Sequence, residues 1–260
     1  MSNSARKTAL ITGASEGIGC ALSKVFAREG YDLVIVARNK ENLLSLGEEL
    51  SASCGVTVRA IPKDLSVRSA PEEIYSELTE SGIAVDTLCN NAGYTIYGPF
   101  AETDFEEEAK MLEVLIWAPT RLTKLFLPDM VKRGQGNILN TASIGSFMPC
   151  PNEALYCAAK AYLLFFSEGI AEELEGTGVT VTALCPGATA TRFFERSSTE
   201  DIRAVKMGTM TPEAVAEIGY RALMSKKRYV VPGPPNKALA WSTRLMPRRL
   251  LVKIVELVMQ

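Results

Sequence analysis

Seven short apolar runs rich in β-branched residues alternate with longer amphipathic segments along most of this chain. The runs predict strands at Thr8–Thr12, Asp32–Ala37, Thr57–Ile61, Thr87–Asn90, Asn137–Asn140, Thr180–Cys185 and Arg228–Val231. The longer segments predict helices at about Gly17–Glu29, Glu41–Ser53, Ala70–Ser81, Phe105–Arg133, Ala154–Gly176 and Pro212–Met224. Such alternation is typical of a parallel sheet with helices on both faces. We therefore predict an α/β, doubly wound parallel sheet of the Rossmann type, with its ligand beyond the carboxyl ends of the strands.

The 260 residues are enough for one large core, and the chain has no repeat or linker-like tract. We predict a single α/β domain over residues 1–232, which carries the binding and catalytic residues discussed below. Residues 233–260 are predicted to form a basic, apolar C-terminal helical extension.

The absence of histidine restricts the chemistry of the chain. Without histidine there is no Ser-His-Asp or Cys-His site and no zinc site of the usual histidine-containing kinds, and we predict no metal. Acid/base work at neutral pH then falls to a tuned Tyr, Lys, Cys or carboxylate.

The net charge of −2 gives no general attraction to nucleic acid. Six cysteines without a Cys-x-x-Cys pair, and a polar N-terminus, predict reduced thiols and a cytoplasmic protein.

A glycine-rich turn directly follows the first predicted strand. Gly13, Gly17 and Gly19 are spaced Gly-x-x-x-Gly-x-Gly, and the first predicted helix begins within the turn. Glycines at these places let the backbone turn sharply and approach a pyrophosphate at the helix N-terminus. A plain strand–helix connection with incidental glycines is the alternative, but the position of the turn favours dinucleotide binding.

The end of the second predicted strand indicates which dinucleotide is bound. An NAD site usually carries Asp or Glu there to hold the ribose 2′-hydroxyl, whereas this chain has Ala37 followed by Arg38. A guanidinium presents a planar fork suited to phosphate oxygens, so the sequence favours NADP(H). The alternative is that Arg38 only begins a solvated loop.

Tyr156 and Lys160 are one helical turn apart, and Ser143 precedes Tyr156 by thirteen residues. Residues i and i+4 share a helix face, so the ammonium can lie close to the phenol. A nearby cation favours the phenolate and lowers the pKa of tyrosine, which makes the phenol usable as an acid or base. Alone, the pair would be an accidental Tyr-x-x-x-Lys. Together with the glycine-rich turn it predicts a nicotinamide-dependent oxidoreductase.

With these motifs the chain resembles the short-chain dehydrogenase/reductase family from about Lys7 to Tyr229. The resemblance implies that Tyr156 protonates a carbonyl oxygen as hydride arrives from NADPH. It implies that Ser143 hydrogen-bonds the same oxygen and that Lys160 binds the nicotinamide ribose. With Arg38 included, the residues expected to bind the cofactor are Gly13, Ser15, Glu16, Gly17, Ile18, Gly19, Arg38, Asp64, Leu65, Asn91, Ala92, Gly93, Tyr156, Lys160, Pro186, Gly187, Thr189 and Thr191. The two longest predicted helices resemble those that pair across subunits in the family, which implies a homodimer or homotetramer.

One position departs from the family pattern. Counted back from Pro128, and independently from Asn140, the family's usual helix-borne Asn falls on Leu115. In the family that Asn helps hold a water on a proton path from the lysine to solvent, and a leucine side chain has no donor or acceptor for it. Two functions stay open. The favoured one is an NADP-dependent oxidoreductase that reduces a ketone to an alcohol, or catalyses the reverse. The other is a catalytically weak protein that binds NADPH and NADP⁺ as a sensor.

Apolar side chains lie where the family places its substrate lid, between Thr191 and Thr211. They are Phe193, Phe194, Met207 and Met210. The segment 147–149, just after Ser143, is expected to form the opposite wall of the pocket. These residues predict a moderately apolar small-molecule substrate, and ordinary core packing explains them equally well. Both the fatty-acyl and the steroid-type substrates of the family fit such a pocket.

The C-terminal segment is basic as well as apolar. From residue 226 onward, eight basic residues face a single acid, Glu256. As a helix, Arg248–Met259 would span about 18 Å, which is too short for a hydrocarbon core of roughly 30 Å. Two interpretations remain. The segment packs on its own or a neighbouring subunit, which we favour, or it makes peripheral contact with an anionic membrane.

Overall fold

The computed structural model describes residues 6–192 and 208–258 of the chain. Seven parallel strands form one sheet in the order β3-β2-β1-β4-β5-β6-β7. The strands are β1 Thr8–Thr12, β2 Asp32–Ala37, β3 Val58–Pro62, β4 Thr87–Asn90, β5 Gly136–Thr141, β6 Val179–Leu184 and β7 Tyr229–Val230. After β3 the chain returns to the middle of the sheet, and β4 pairs with β1. This reversal of strand order confirms the doubly wound fold and creates a crevice between β1 and β4.

Helices cover both faces of the sheet. They are α1 Gly17–Arg28, α2 Lys40–Cys54, α3 Ala70–Glu80, α4 Phe105–Leu112, α5 Ala118–Arg133, α6 Ala154–Glu173, α7 Pro212–Met224, α8 Pro234–Ser242 and α9 Arg248–Val258. One core lies between the sheet and α1, α2 and α7, with Leu22, Leu43 and Val215 fully buried. The other lies under α3 and α5, with Ile74 and Leu122 buried.

The predicted single helix over Phe105–Arg133 is wrong in one respect. Helices α4 and α5 are separated by a π-helical turn at Glu113–Trp117, where the backbone N–H of Ala118 donates to the carbonyl of Glu113. Pro119 explains the change of register, because it has no N–H to donate to the carbonyl four residues earlier and its ring clashes with that carbonyl. The residue four positions before Pro119 is Leu115, the position that departs from the family pattern.

The other predicted elements are present, with boundaries that differ by at most three residues. The predicted helical extension consists of two helices, α8 and α9, and the short 3₁₀ helix Ile144–Phe147 was not predicted. Among the described helices, α6 is long and apolar enough to cross a membrane, judged by length and composition alone. Leu164 and Ser167 of α6 are buried in the protein, and helices that pack in a protein core pass the same test of length and composition.

Candidate active site

A cleft of about 650 Å³ opens at the carboxyl ends of the central strands. The structure brings every site residue predicted from sequence, except Gly19, to the wall of this cleft. The lining includes Gly13, Ser15, Glu16, Gly17, Ile18, Arg38, Asp64, Leu65, Asn91, Ala92, Gly93, Ser143, Tyr156, Lys160, Pro186, Gly187, Thr189 and Thr191. Positions far apart in the chain therefore share one site.

The glycines of the turn each meet a different steric demand. Gly13 and Gly17 have φ angles of 67° and 55°, in the left-handed region that disfavours side chains. A Cβ on Gly13 would lie 2.8 Å from the Cα of Ala92. Gly19 lies behind the turn, where a Cβ would be 2.1 Å from the carbonyl oxygen of Gly13. The turn is thus a backbone cradle without room for side chains, and it fits a dinucleotide pyrophosphate at the N-terminus of α1.

A hydrogen-bond network holds the floor of the cleft. The hydroxyl of Thr12 accepts from the backbone N–H groups of Asn91 and Ala92 at 2.9 and 3.0 Å. The Asn91 amide donates to the carbonyl of Thr12 at 3.0 Å and accepts from the hydroxyl of Thr141 at 3.2 Å. These bonds join β1, β4 and β5. The Asn91 side chain is therefore held by hydrogen bonds to Thr12 and Thr141.

At the far end of the cleft, Arg38 follows β2 directly and is exposed. Within the described ranges its guanidinium forms no ion pair, which leaves its donors available to a ligand. The next residue, Asn39, accepts from the N–H of Asn42 at 2.9 Å and begins α2. After the neighbouring strand β3, Asp64 accepts from the N–H and hydroxyl of Ser66 at 2.9 and 2.8 Å, which fixes the loop that follows.

At the opposite end, Ser143 begins the 3₁₀ helix by accepting from the N–H of Gly145 at 3.1 Å. The N–H of Ser143 donates to the hydroxyl of Ser146 at 3.2 Å. That hydroxyl donates in turn to the carbonyl of Lys160 at 2.8 Å. Ser146 therefore connects the Ser143 loop to α6. Sequence reasoning missed it, because a Ser three residues after another carries no distinctive signal until the turn is formed.

Lys160 lies inside the protein and faces the cleft. Its ammonium donates to the carbonyl of Thr141 at 2.6 Å and lies 5.7 Å from the ring centre of Tyr156. Burial disfavours the charged form and lowers the pKa of Lys160 to about 8. The predicted pairing on one helix face is present, and the lysine is cationic below that pH.

The pKa of Tyr156 differs from the sequence-based prediction. Burial of the hydroxyl, and next the nearby Glu153 carboxyl, raise this pKa well above its usual range. A hydrogen bond with Ser143 acts in the opposite direction. The lowered pKa of Tyr156 expected from the sequence is thus wrong for the protein alone, because desolvation of the phenolate makes the net shift upward.

Glu153 is a site residue that sequence reasoning missed. It lines the cleft three residues before Tyr156, and its carboxylate accepts from the hydroxyl of Thr95 at 3.0 Å. Burial raises the pKa of this carboxyl, and the Thr95 hydrogen bond lowers it. A single acid at the start of an apolar helix is usually a solvated residue that favours the helix N-terminus. Only the tertiary structure turns it toward the cleft.

The C-terminal extension closes the cleft beside Tyr156. Leu251 and Val255 of α9 are buried against Met148 and Tyr156, and with Met246 they line the cleft. This apolar wall was not predicted. Of the residues predicted to form the pocket walls, Met148 lines the cleft. Met210 forms an isolated β-bridge with Thr189 and does not line the cleft. Phe147, also predicted to line the pocket, packs against the ring of Tyr229 instead. Phe193, Phe194 and Met207 lie outside the described residues.

Residues 7–202 match the sequence model of the short chain dehydrogenases. The chain belongs to the short-chain dehydrogenase family. It is accordingly an oxidoreductase that acts on alcohol and carbonyl groups with a nicotinamide cofactor.

Relatives of this dehydrogenase agree with the assignment. It is 32% identical over 228 residues to the ketoacyl reductase HetN of Nostoc sp., covering 86% of this chain and 78% of the relative. A short-chain dehydrogenase of Sphingobium yanoikuyae, solved in complex with NADPH, matches with a TM-score of 0.83 at 32% identity over 92% of both chains. The bulky-bulky ketone specific alcohol dehydrogenase of Comamonas testosteroni matches with a TM-score of 0.79 at 29% identity over 93% of both chains.

Proposed function

We propose that this dehydrogenase reduces a ketone on a moderately apolar substrate with NADPH, or catalyses the reverse reaction, with Tyr156 as acid and base. The observation that carries the proposal is the layout of one cleft. A pyrophosphate cradle and Arg38 lie at one end, and Ser143, Tyr156 and Lys160 lie at the other. The two similar enzymes whose names mention a ketoacyl or ketone group support a carbonyl substrate.

The lining of the cleft supports the choice of residues that would hold the cofactor. The glycine-rich turn would hold the pyrophosphate, and Arg38 would bind a 2′-phosphate. Pro186 and Gly187, in the loop after β6, approach the catalytic end, because the carbonyl of Pro186 accepts from the N–H of Ile144 at 2.8 Å. Bound NADPH supplies the hydride that reaches the carbonyl carbon. The structural neighbour solved with NADPH supports the choice of cofactor.

The protein's own part in the reaction is to supply a proton. Tyr156 donates its hydroxyl proton to the carbonyl oxygen as that oxygen becomes an alkoxide. Its raised pKa keeps the hydroxyl protonated at neutral pH, so the acid form is available for reduction. Ser143 donates a hydrogen bond to the same oxygen, and the Lys160 cation stabilises the phenolate that remains. In the oxidative direction the phenolate takes the proton of the alcohol.

A substrate panel tests the proposal. Ketones graded in bulk and apolarity, from a short β-ketoester to a bicyclic ketone, are offered with NADPH, and NADPH oxidation is followed. The matching alcohols are offered with NADP⁺. We expect turnover that improves with apolar bulk, because Met148, Leu251 and Val255 surround the substrate end. If NADPH binds and no member of either panel reacts, the enzymatic proposal fails.

Arg38 is expected to select the phosphorylated cofactor. Arg38→Ala should weaken NADPH binding by about ten- to a hundred-fold, because a charge-assisted contact of roughly 1.5–3 kcal/mol is lost. NADH binding should hardly change. The measurement is a fluorescence titration with both cofactors, and Lys40→Ala removes an exposed cation two residues away as a control. Equal affinities of the unmodified protein for NADPH and NADH would contradict the assignment.

Leu115 keeps the second candidate function, a catalytically weak NADPH and NADP⁺ sensor, in consideration. The side chain of Leu115 is buried. Both this side chain and the Lys160 ammonium lie near Gly93. A Cβ on Gly93 would lie 2.9 Å from Leu115 and 3.4 Å from that ammonium. An apolar group therefore stands beside the lysine where a proton path would start. The substrate panel separates the two functions, since a sensor binds NADPH without turnover.

Restoring an amide at this position should affect catalysis. We expect Leu115→Asn to fold and either to raise turnover or to shift its pH dependence, because the amide offers a water site beside Lys160. If no water enters, the buried amide should cost about 1–3 kcal/mol of unfolding free energy. Leu115→Met is the control, since it keeps the volume without adding a hydrogen-bonding group. An unchanged pH–rate profile with a lower melting temperature would exclude position 115 from the proton path.

We further propose a homodimer or homotetramer and a cytoplasmic location. The outer face of α6 supports self-association, since Phe165 is exposed and the rings of Tyr162 and Phe166 stack at 5.6 Å. All six cysteines are free, which suits a reducing compartment. Sedimentation velocity tests the assembly, and a monomer at micromolar concentration would contradict it.

A further inference from the structure

The outer side of helix α9 carries apolar residues that the protein leaves uncovered. Leu251 and Val255 are only 4% and 6% exposed, because they form the cleft wall. Leu250, Ile254 and Leu257 are 51%, 38% and 57% exposed. With about 100° between successive residues, these five side chains occupy one arc of roughly 160°. The apolar face of α9 is therefore wider than the surface that the protein buries.

The uncovered apolar residues continue onto the neighbouring segment. Trp241 at the end of α8 and Leu245 in the connection to α9 are among the most exposed large side chains of the described chain. Leu239 and Ile254 are exposed and also line the cleft. We call these six residues the tail surface: Leu239, Trp241, Leu245, Leu250, Ile254 and Leu257. The tail surface thus begins at the mouth of the cleft.

Basic residues border the tail surface. Arg249 and Lys253 are exposed one turn apart on α9, next to Leu250 and Leu257 on the helix surface. Arg244 and Arg248 are exposed in the connection and at the start of α9. None of the four forms an ion pair with a described residue. Their charge is therefore free to interact with an external partner.

We propose that the tail surface docks on an anionic lipid membrane, with the mouth of the cleft beside the lipid. An apolar helix face with Arg and Lys along its edge is the pattern of a helix that lies flat in a membrane interface. The long basic side chains reach lipid headgroups while their stems lie along the apolar edge. A second copy of the chain fits less well, because a two-fold contact would place the same four cations against each other.

Docking of this kind refines the favoured interpretation of the C-terminal segment. The inner side of α9 packs on its own subunit, as favoured from the sequence, and the outer side stays available. An apolar substrate dissolved in lipid would then reach the cleft without crossing water. That last step rests on the proposed function, whereas membrane binding can be measured without any substrate.

The test is co-sedimentation of the full chain with vesicles of 70% phosphatidylcholine and 30% phosphatidylserine, and with pure phosphatidylcholine vesicles. We expect binding to the anionic vesicles that weakens with added salt, and little binding to the neutral ones. The double variant R249E/K253E should weaken binding at least about thirty-fold, given the usual contribution of each basic residue. K226E/K227E makes the same change of charge at two exposed residues away from α9 and should bind normally.

A second measurement reports which residues enter the lipid. The chain has two tryptophans, so Trp117→Phe leaves Trp241 as the only one. Its emission should shift to shorter wavelength on anionic vesicles and be quenched by brominated lipid, and Leu250→Ser with Leu257→Ser should reduce both effects. If R249E/K253E and K226E/K227E bind alike, or Trp241 emission does not change, the proposal is overturned. If the unmodified protein does not bind vesicles and the Leu250→Ser, Leu257→Ser variant no longer self-associates, the tail surface is a contact with a second copy of the chain instead. If membrane binding fails while the protein still oxidises NADPH with a ketone, the proposed function is retained.

Discussion

Tyr156→Phe is expected to lower the rate of NADPH-dependent ketone reduction by about a hundred- to ten-thousand-fold, the usual contribution of a general acid. The variant removes one hydroxyl and keeps the ring that packs against Leu251 and Val255. NADPH affinity should change little, since the pyrophosphate cradle, Arg38 and the ring of residue 156 all remain. Initial rates with the best ketone of the panel, together with a cofactor titration, give both quantities.

Tyr162→Phe is the matched control for this prediction. Tyr162 lies on the same helix and bonds the hydroxyl of Thr120 at 2.8 Å, away from the cleft. Its loss should cost about 1 kcal/mol of stability and leave the rate unchanged. A rate loss below ten-fold in Tyr156→Phe would show that another group supplies the proton, and the cleft-facing Glu153 would then be the first residue to replace.

Gly19→Ala is expected to destabilise the protein by about 3 kcal/mol or more. The added Cβ would lie 2.1 Å from the carbonyl oxygen of Gly13 and 2.6 Å from the amide nitrogen of Asn91. Both atoms belong to the turn and to the network that joins the central strands, so neither moves away easily. The melting temperature should fall by roughly 6–12 °C, and NADPH binding should weaken because the cradle is distorted.

Gly47→Ala provides the control, because it places the same methyl group in a helix with room for it. A Cβ on Gly47 in α2 would meet Val58 at 3.5 Å, an ordinary contact. Alanine has the higher helix propensity, so this variant should gain up to about 1 kcal/mol. The two glycine variants therefore have opposite predicted signs. Equal melting temperatures would mean that the turn yields to the methyl group and that Gly19 has no special packing role.

Much of the fold and the cofactor end of the cleft could be predicted from sequence because their determinants are local. Strand and helix periodicity depends on neighbouring residues, and the Gly13-to-Gly19 turn is a short segment whose glycines meet backbone constraints. The carboxyl ends of parallel strands lie at one edge of the sheet. Residues at those ends, such as Arg38, Asp64 and Asn91, were therefore expected in one site before their positions were known.

The features that escaped prediction depend on contacts between distant segments. The π-helical turn around Leu115 follows from a local proline, but amphipathic periodicity alone does not detect a single shifted turn. The raised pKa of Tyr156 arises from burial, a property of the packed protein, so the charge of Lys160 one turn away was a poor guide.

The sequence by itself determined the parallel sheet and the family, and it was enough to propose Ser143, Tyr156 and Lys160 as reacting residues, because each of these depends on short-range spacing. Tertiary structure alone decided that Glu153 lines the cleft and that Ser146 connects the Ser143 loop to α6. It also decided that α9, about a hundred residues after Tyr156, covers the substrate end. The physical reason is that helix amphipathicity specifies which side of α9 is apolar, whereas only the packed protein determines how much of that side it buries.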